Sequence, residues 1–240
     1  PESNAIYSLP YELTQKYQIQ RYGEHGISHS YLAERTAELL NRPLNELKII
    51  TLHLGSGASV AAIKDGKAFD SSMGFTPLTG LTMGTRAGDV DPAIVPFLME
   101  KEDMTAEEVM TLLNDQSGLL GISESSSDMR DIEAAWKKGD HQASLAREIF
   151  INRVVKYVGA YFAELGGIDA LVLAGGIGEH QVDLRLALLK QLRVLGIEVD
   201  EKLNQANQEG IISPKDAQIK TMLIPTNEEL QMVRQIKKEI

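Results

Sequence analysis

The chain has 240 residues, 43% hydrophobic and 24% charged, so it is long enough to bury a substantial core and its composition excludes a disordered or fibrous protein. Its formal net charge of −10 argues against nucleic acid as a partner, because binding to a phosphate backbone needs a concentrated basic face. The lack of cysteine excludes disulfides and thiolate metal sites. We expect a cytoplasmic protein without a membrane partner, since no apolar run is long enough to cross a bilayer and the first residues do not resemble a signal peptide.

The first predicted elements form a β-hairpin sheet. Lys48–Leu54 is predicted as a short buried strand that ends in the glycine turn Gly55–Gly57. Ala58–Ile63 and Lys67–Asp70 are predicted as two further strands. The turn between them, Lys64-Asp65-Gly66, contains the Asp-Gly pair that is typical of hairpins.

A helical pattern follows the hairpin. It runs from Asp91 to Asp115, with Pro92 suited to a first turn and with Thr105 and Glu108 spaced as a capping box. Asp128–Lys138 is predicted as another short helix. The longest amphipathic helix is predicted for Gln142–Leu165, because its apolar residues recur every three or four positions before Gly166-Gly167.

A second buried strand, Ala170–Ala174, leads directly into Gly175-Gly176-Ile177-Gly178. The remaining predicted elements are a helix, a late strand and a terminal helix: Leu184–Leu195, Ile219–Ile224 and Asn227–Ile240. Single strands that alternate with helices after a hairpin predict an α/β fold, with a mixed sheet flanked by helices. Ligands of such sheets bind where strands give way to loops.

Residues 22–29 carry two histidines, His25 and His29, in a glycine-rich segment. Their spacing of four allows a metal pair on one helix face, but Gly26 weakens a helix and no third ligand is evident. The order of residues also differs from the zinc-protease motif, since Glu24 precedes His25. A structural pair of histidines is the simpler interpretation.

Two glycine turns at strand ends suit phosphate binding. After His53, the backbone N–H groups of Gly55, Ser56 and Gly57 can approach an anion closely, although glycine hairpins without a ligand are common. Gly176, Ile177 and Gly178 follow a buried strand and precede a helix, which is a general device for holding nucleotides. They lack the spacing of the dinucleotide fingerprint.

Arg86 lies among small residues in the segment Met83–Pro92. A guanidinium there can reach an open cleft, where it suits the charge that spreads over the oxygens of a transferring phosphoryl group. The alternative is a surface arginine paired with Asp89 or Asp91. The residues alone therefore predict an α/β protein that handles phosphate.

Taken in order, these segments resemble the acetate kinase family, which includes propionate and butyrate kinases. The resemblance runs from Leu9-Pro10-Tyr11-Glu12-Leu13 to Thr226-Asn227-Glu228-Glu229-Leu230, and its most specific parts are MGFTPLTGLTMGTRAGDVDP and the block SGLLGIS…SSDMRDI. It implies the fold of the actin-like ATPases, a ribonuclease H-like domain shared with sugar kinases. It also implies reversible transfer of phosphate from ATP to acetate, giving acetyl phosphate and ADP, in a magnesium-dependent homodimer.

The resemblance assigns a role to each candidate residue. His25 and Arg86 would stabilise the phosphoryl group during transfer, His53 would contact the phosphates, and the backbone of Gly55, Ser56 and Gly57 would cradle them. The adenosine pocket would be lined by Asp128, Met129 and Arg130 together with Gly176, Ile177 and Gly178. Glu228 would help to hold Mg²⁺, through water.

Three positions differ from the family pattern: Glu24 replaces Phe, Ser56 replaces Asn, and His180 replaces Asn. We expect Glu24 to raise the pKa of His25 and to repel a carboxylate or phosphate if it faces the cleft. Ser56 keeps a short polar side chain but loses the paired donor and acceptor of an amide.

The resemblance also implies a domain organisation. Residues 1–226 would be the C-terminal, nucleotide-binding domain, and residues 227–240 a terminal helix that packs on an N-terminal domain absent from this sequence. That domain would supply an arginine and a catalytic aspartate. The alternative function is therefore a truncated, non-catalytic nucleotide-binding module of the same family.

Overall fold

A computed structural model describes residues 1–239 of the chain, and it contains one mixed sheet with helices on both faces. The strands of the described residues, in chain order, are β1 Ile49–Leu54, β2 Ala58–Lys64, β3 Lys67–Ser71, β4 Ala170–Ala174, β5 Gly210–Ile211 and β6 Lys220–Leu223. The α-helices, numbered in the same way, are α1 Glu2–Ala5, α2 Tyr11–Tyr17, α3 Gly26–Leu40, α4 Ile94–Lys101, α5 Ala106–Asp115, α6 Gly118–Ser123, α7 Met129–Lys137, α8 His141–Leu165, α9 Gly175–His180, α10 Val182–Leu192, α11 Glu201–Ala206 and α12 Glu228–Glu239. The predicted α/β class is confirmed.

The strands lie in the order β3-β2-β1-β4-β6-β5. The hairpin strands β1, β2 and β3 pair antiparallel, whereas β4 pairs parallel with both β1 and β6. Since β1 and β4 run side by side in the same direction, the turn after β1 and the start of α9 after β4 meet at one edge of the sheet. This is the edge at which the sequence predicts the phosphate site.

The two faces of the sheet pack against different helices. Alternate residues of β1, namely Ile50, Leu52 and Leu54, join the main core, to which α8 contributes Phe150 and Val154. The amphipathic helix predicted for residues 142–165 therefore serves this core. On the opposite face, Ile49 packs with the side of α3 that carries Leu32.

Thr51 and His53 of β1 share that second face, because side chains alternate along a strand. Ser59, which is opposite His53 in the neighbouring strand β2, faces the same way. This puts three polar side chains under the first turn of α3, where Ser28 and His29 meet them. The polar patch lies beside the carboxyl end of β1.

Several predicted boundaries needed correction. The helical pattern of residues 91–115 is two helices, α4 and α5, and Pro92 precedes α4 rather than lying in its first turn. The predicted capping box at the start of α5 is confirmed, because Thr105 and Glu108 bond each other's backbone N–H groups. The helix predicted to end at Leu195 ends at Leu192 and is followed by a 3₁₀ turn. Ile240, at the end of the predicted terminal helix, lies outside the described residues.

Three helices near the predicted site were missed, namely α3, α6 and α9. Helix α3 begins at Gly26, so the glycine lies at its first position, where it costs less than in the interior. Helix α9 begins at Gly175 directly after β4, where only a glycine-rich turn was predicted. Three glycines in a six-residue helix contradict helix propensity, so its formation depends on tertiary contacts.

Along the described part of the chain, none of the helices combines the length and the apolar character that crossing a membrane requires. Helix α12 lies on α3 of the same chain, where buried Gln231 donates to Ser30 Oγ over 2.7 Å. The opposite side of α12 exposes Val233 and Ile236. That this helix packs on a further domain stays a prediction.

Candidate active site

The turn after β1 is closed by its own backbone and joined to the loop that carries Arg86. The N–H of Gly55 donates to the carbonyl of Gly57 over 3.0 Å, and the N–H of Gly84 donates to the carbonyl of Ser56 over 3.1 Å. A Cβ atom on Gly57 would lie 3.4 Å from His25 Nε2 and 3.7 Å from Arg86 Nη1. The predicted phosphate turn and both predicted catalytic residues therefore come together.

His25 lies at the N-cap of α3 with a left-handed backbone, φ 63°. Its ring stacks on that of His53, with centroids 4.2 Å apart and an interplanar angle of 27°. A Cβ on Gly55 would lie 3.7 Å from His53 Nε2, so the Nε2 atoms of both rings face the glycine turn. Two imidazoles and one guanidinium thus surround a turn that has room for phosphate oxygens.

The Nδ1 atoms of these two histidines are bound to serine hydroxyls. His25 Nδ1 lies 2.9 Å from Ser59 Oγ, and His53 Nδ1 lies 2.8 Å from Ser28 Oγ. Ser59 Oγ also lies 2.7 Å from Nε2 of buried His29, whose Nδ1 lies 2.7 Å from Thr51 Oγ1. The second histidine of the segment is thus a hydrogen-bonded core residue, in agreement with the structural interpretation of that pair.

All three histidines favour the neutral state. Burial lowers the pKa of His29 to about 3, with smaller contributions from the neighbouring histidines. Burial, with a smaller contribution from the nearby His25, lowers the pKa of His53 to about 4. Burial also lowers the pKa of His25, and Arg86 acts in the same direction, whereas Glu228 and Glu24 oppose the shift.

The guanidinium of Arg86 is half-buried and has no ion pair with any carboxylate whose side chain the structure describes. Its Nη1 lies 3.4 Å from the Pro77 carbonyl and 3.6 Å from the sulfur of Met83. Asp89, the alternative partner, instead accepts from the Gly80 N–H and from Tyr157 OH. The interpretation of Arg86 as a surface residue paired with Asp89 or Asp91 is therefore wrong.

The loop around Arg86 is held by backbone contacts that only glycine permits. A Cβ on Gly118, which has φ 61°, would lie 2.3 Å from the Met83 carbonyl and 2.7 Å from the Arg86 carbonyl. The N–H of Leu119 donates to the Met83 carbonyl over 2.8 Å, so the start of α6 lies directly on the loop. Arg86 is thus presented by a backbone with little freedom to move.

A cavity of about 300 Å³ adjoins the same glycine turn. Its described lining is Gly55, Ser56, Ser127, Asp128, Met129, Arg130, Gly176, Ile177, His180 and Gln181. Gly178 is not in this lining. It is buried one turn further along α9, where a Cβ would approach Leu173 and Leu54. Every other residue predicted for the adenosine pocket lines this cavity.

Asp128 caps α7 and shapes one wall of the cavity. Its carboxylate accepts from the Arg130 backbone N–H over 2.8 Å and from the Arg130 guanidinium over 2.5 Å. These bonds lower the pKa of Asp128, and the bond from the Arg130 side chain contributes most. Because the pair is exposed, it contributes little to the free energy of folding.

Helix α9 forms the opposite wall and is fixed at both ends. Glu179 Oε1 accepts from the Gly175 N–H over 2.9 Å and from the Thr226 N–H over 3.3 Å. At the other end, buried Arg185 donates to the carbonyls of Gly178 and Glu179 and to Asn204. These contacts explain why a glycine-rich segment forms a helix here, and sequence patterns did not reveal them.

Two carboxylates lie near the histidines. Glu228, at the start of α12, is exposed, and its charge raises the pKa of His25. Glu24 also raises it, as expected from the sequence, but burial outweighs both. Oε2 of Glu24 is buried and has no hydrogen-bond partner among the described residues. Those residues hold no cluster of three ligand side chains suited to a metal, and the contact of Glu228 with Mg²⁺ stays a prediction.

Comparisons with known proteins identify the family of the chain. The family model described as the Acetokinase family matches residues 1–234. The chain belongs to the acetokinase family. The acetate kinases of Limosilactobacillus fermentum and Bacillus subtilis are 53% and 49% identical to it, over 99% and 98% of the chain.

Solved structures of this family share the fold. The crystal structure of Porphyromonas gingivalis acetate kinase matches 99% of the chain with a TM-score of 0.95 at 44% identity. A propionate kinase from Francisella tularensis matches 97% with a TM-score of 0.91 at 43% identity. The resemblance stated from the motifs is therefore confirmed.

The chain spans about 60% of the length of the acetokinase relatives it matches. It covers 60% of both acetate kinases named above and 60% of the P. gingivalis structure. Groups that relatives carry in the remaining part of their chains are not in this sequence. The activity of a whole acetokinase therefore enters below as a proposal.

Proposed function

We propose that this chain is the nucleotide-binding part of an acetate kinase-like phosphotransferase, which moves phosphate between ATP and a short-chain carboxylate. The observation that carries the proposal is the convergence of His25, His53 and Arg86 on the turn Gly55–Gly57. The cavity between Asp128 and Ile177 shares that turn, so a nucleotide seated there would direct its phosphates at the three side chains.

The proposed chemistry is direct in-line transfer. The reaction needs positioning and neutralisation of charge on the moving phosphoryl group, and it needs no covalent intermediate on the protein. Arg86 has no carboxylate partner in the described residues, so its charge is available to that group. His25 and His53 are proposed as donors to phosphate oxygens, and the N–H groups of the glycine turn as further donors.

ATP and Mg²⁺ are the proposed ligands. The cavity and its adjoining glycine turn suit a nucleotide, since small residues leave room for phosphate oxygens close to backbone N–H groups. When bound, Mg²⁺ would neutralise phosphate charge. Glu228 is proposed to contact it through water, because the carboxylate is exposed at the start of α12 and its charge reaches His25. A homodimer and a cytoplasmic location also stay predictions.

The decisive residue is Arg86, and the assay is acyl-phosphate formation from ATP, Mg²⁺ and acetate, trapped with hydroxylamine. We expect Arg86→Ala to reduce turnover by about 10³-fold, because an arginine that stabilises the transferring phosphoryl group contributes that much or more. ATP affinity, measured by calorimetry on the same sample, should change much less. Arg193→Ala is the matched control, since Arg193 is exposed and lies on a 3₁₀ turn outside the cleft.

A non-catalytic nucleotide-binding module is the second candidate function. The carboxylate of Glu24 beside His25, with Oε2 buried, favours it, because a negative charge there opposes an incoming carboxylate or phosphate. ATP binding without acetyl phosphate in any condition would support the module. Turnover that depends on Arg86 would exclude it.

A further inference from the structure

The hydrogen-bond network behind His25 and His53 determines which nitrogen of each ring carries the proton. Each neutral imidazole has one N–H donor and one acceptor nitrogen, and the partner of one nitrogen selects the tautomer. Here the Nδ1 atoms face hydroxyl groups, whereas the Nε2 atoms face the glycine turn. The tautomer of each ring therefore depends on whether the hydroxyl group donates a hydrogen bond to Nδ1 or accepts one from it.

Ser28 gives the simplest case. Its hydroxyl is fully buried, and His53 Nδ1 is its hydrogen-bond partner among residues 1–239. A buried O–H without an acceptor is costly, so the Ser28 hydroxyl donates to Nδ1. His53 Nδ1 is then the unprotonated acceptor, and in the neutral ring the proton lies on Nε2.

The tautomer of His25 depends on that of His29, because both rings are bound to the hydroxyl of Ser59. Thr51 is fully buried, and within the described chain its hydroxyl has His29 Nδ1 as its partner, so it must donate there. His29 therefore carries its proton on Nε2 and donates it to Ser59 Oγ. The Ser59 hydroxyl is left free to donate to His25 Nδ1, which again puts the proton of the neutral ring on Nε2.

The opposite direction would leave a donor unpaired. If His25 Nδ1–H donated to Ser59 and Ser59 to His29, then His29 Nδ1–H would donate to Thr51, whose own buried hydrogen would have no acceptor in the described residues. Only the direction from Thr51 towards the cleft pairs every hydroxyl hydrogen.

We propose that Ser28 and Ser59, the latter through His29 and Thr51, are positioning residues that hold both cleft histidines as Nε2–H tautomers, each aimed at the glycine turn as an uncharged hydrogen-bond donor. Two neutral donors beside Arg86 give phosphate oxygens three hydrogen-bonding side chains while placing a single fixed positive charge in the cleft. The role of these donors towards phosphate rests on the proposed function, but the tautomers themselves do not.

The test is a long-range ¹⁵N–¹H correlation spectrum of the histidine rings in the whole chain at neutral pH, which distinguishes Nδ1–H from Nε2–H. The rings are assigned by single His→Gln variants. We expect His25, His29 and His53 all in the Nε2–H form. An Nδ1–H form of His25 or of His53 in the wild-type spectrum would overturn the proposal.

Two variants then test whether Ser28 and Ser59 set the tautomers of the histidines or only fill space in the core. Ser59→Ala should give His25 a mixture of tautomers while His53 is unchanged, and Ser28→Ala should do the reverse. Ser213→Ala is the matched control, because Ser213 is a buried serine that accepts from the Thr221 N–H far from the histidines. Unchanged tautomers in both Ser59→Ala and Ser28→Ala would contradict a positioning role.

Addition of ATP alone separates this inference from the proposed function. We expect the Nε2–H signals of His25 and His53 to shift on titration with ATP while the tautomers are kept. Correct tautomers without any shift would leave the hydrogen-bond inference standing and would count against the proposed phosphate site.

Discussion

Glu24 is the residue near the proposed phosphate site whose charge is least favourable for binding an anion. Its Oε2 is buried without a hydrogen-bond partner in the described residues, and its charge raises the pKa of His25. Burying an unsatisfied polar atom costs free energy, so this side chain weakens the fold as well as altering the cleft.

Replacing this carboxylate tests both effects. Glu24→Phe should raise the free energy of unfolding by about 1 kcal/mol, because it removes the unpaired buried oxygen. It should also lower the pKa of His25 further, since one contribution that opposes burial is lost. The measurements are denaturant unfolding and NMR titration of the His25 ring. Glu12→Phe, at an exposed position of α2, is the control. A His25 pKa that stays unchanged would show that Glu24 does not act on the cleft.

At the scale of elements, the longer strands, their glycine turns and helix α7 were predictable, whereas helices α3 and α9, which complete the site, were not. Buried strands β1 and β4 are short apolar runs that end in glycine, a signal that needs no tertiary information. Helix α3 was missed because its buried side includes Ser28, His29 and Thr36, which break the apolar periodicity. Its polar side is buried because Thr51, His53 and Ser59 of the sheet receive it, and only strand pairing reveals that.

Among the residues of the candidate site, some were predictable from the sequence and others were not. The residues alone pointed to the glycine turn, His53 and Arg86, whereas the role of His25 was implied by the resemblance to the acetate kinase family. Ser59 and Thr51 were not predicted as parts of the site. A serine or threonine in a strand gives no local signal, and their contacts depend on β1 pairing with β2 below α3. Predicting them would have required the pairing register.

Helix α9 offers a prediction at this scale. Glu179→Ala should remove the acceptor of the Gly175 and Thr226 N–H groups, reduce the free energy of unfolding by about 1 kcal/mol and weaken ATP binding, because α9 lines the cavity. Glu179→Gln is the matched control, since its amide oxygen can still accept both bonds. Equal ATP affinity in the two variants, measured by calorimetry, would show that this bond does not shape the cavity.

At the scale of the whole molecule, the buried histidines make folding dependent on pH. The pKa of His29 is about 3 and that of His53 about 4 in the folded chain, against an ordinary value of 6.5. The unfolded chain therefore takes up protons below pH 6.5 that the folded chain does not bind. Their stabilising contribution is complete above pH 6.5 and is lost as the pH falls towards 4 and then 3.

Between pH 7 and pH 5 each of these histidines should reduce the free energy of unfolding by about 2 kcal/mol, since one pKa unit corresponds to about 1.4 kcal/mol. Denaturant unfolding of the wild type and of His53→Gln at both pH values isolates one histidine from the carboxylates that titrate in the same range. His141→Gln is the control, because His141 is exposed at the start of α8. The same pH dependence in His53→Gln and the wild type would contradict the assignment.

The left-handed backbone of His25 also bears on how this chain evolves. Glycine and asparagine occupy that conformation at lower cost than histidine, so random substitution at position 25 can gain stability at the expense of the imidazole. Such a change would also remove a hydrogen-bond partner of the buried Ser59 hydroxyl and the stacking on His53, so these contacts oppose it. Position 25 is thus a site where the backbone conformation and the side-chain contacts favour different residues.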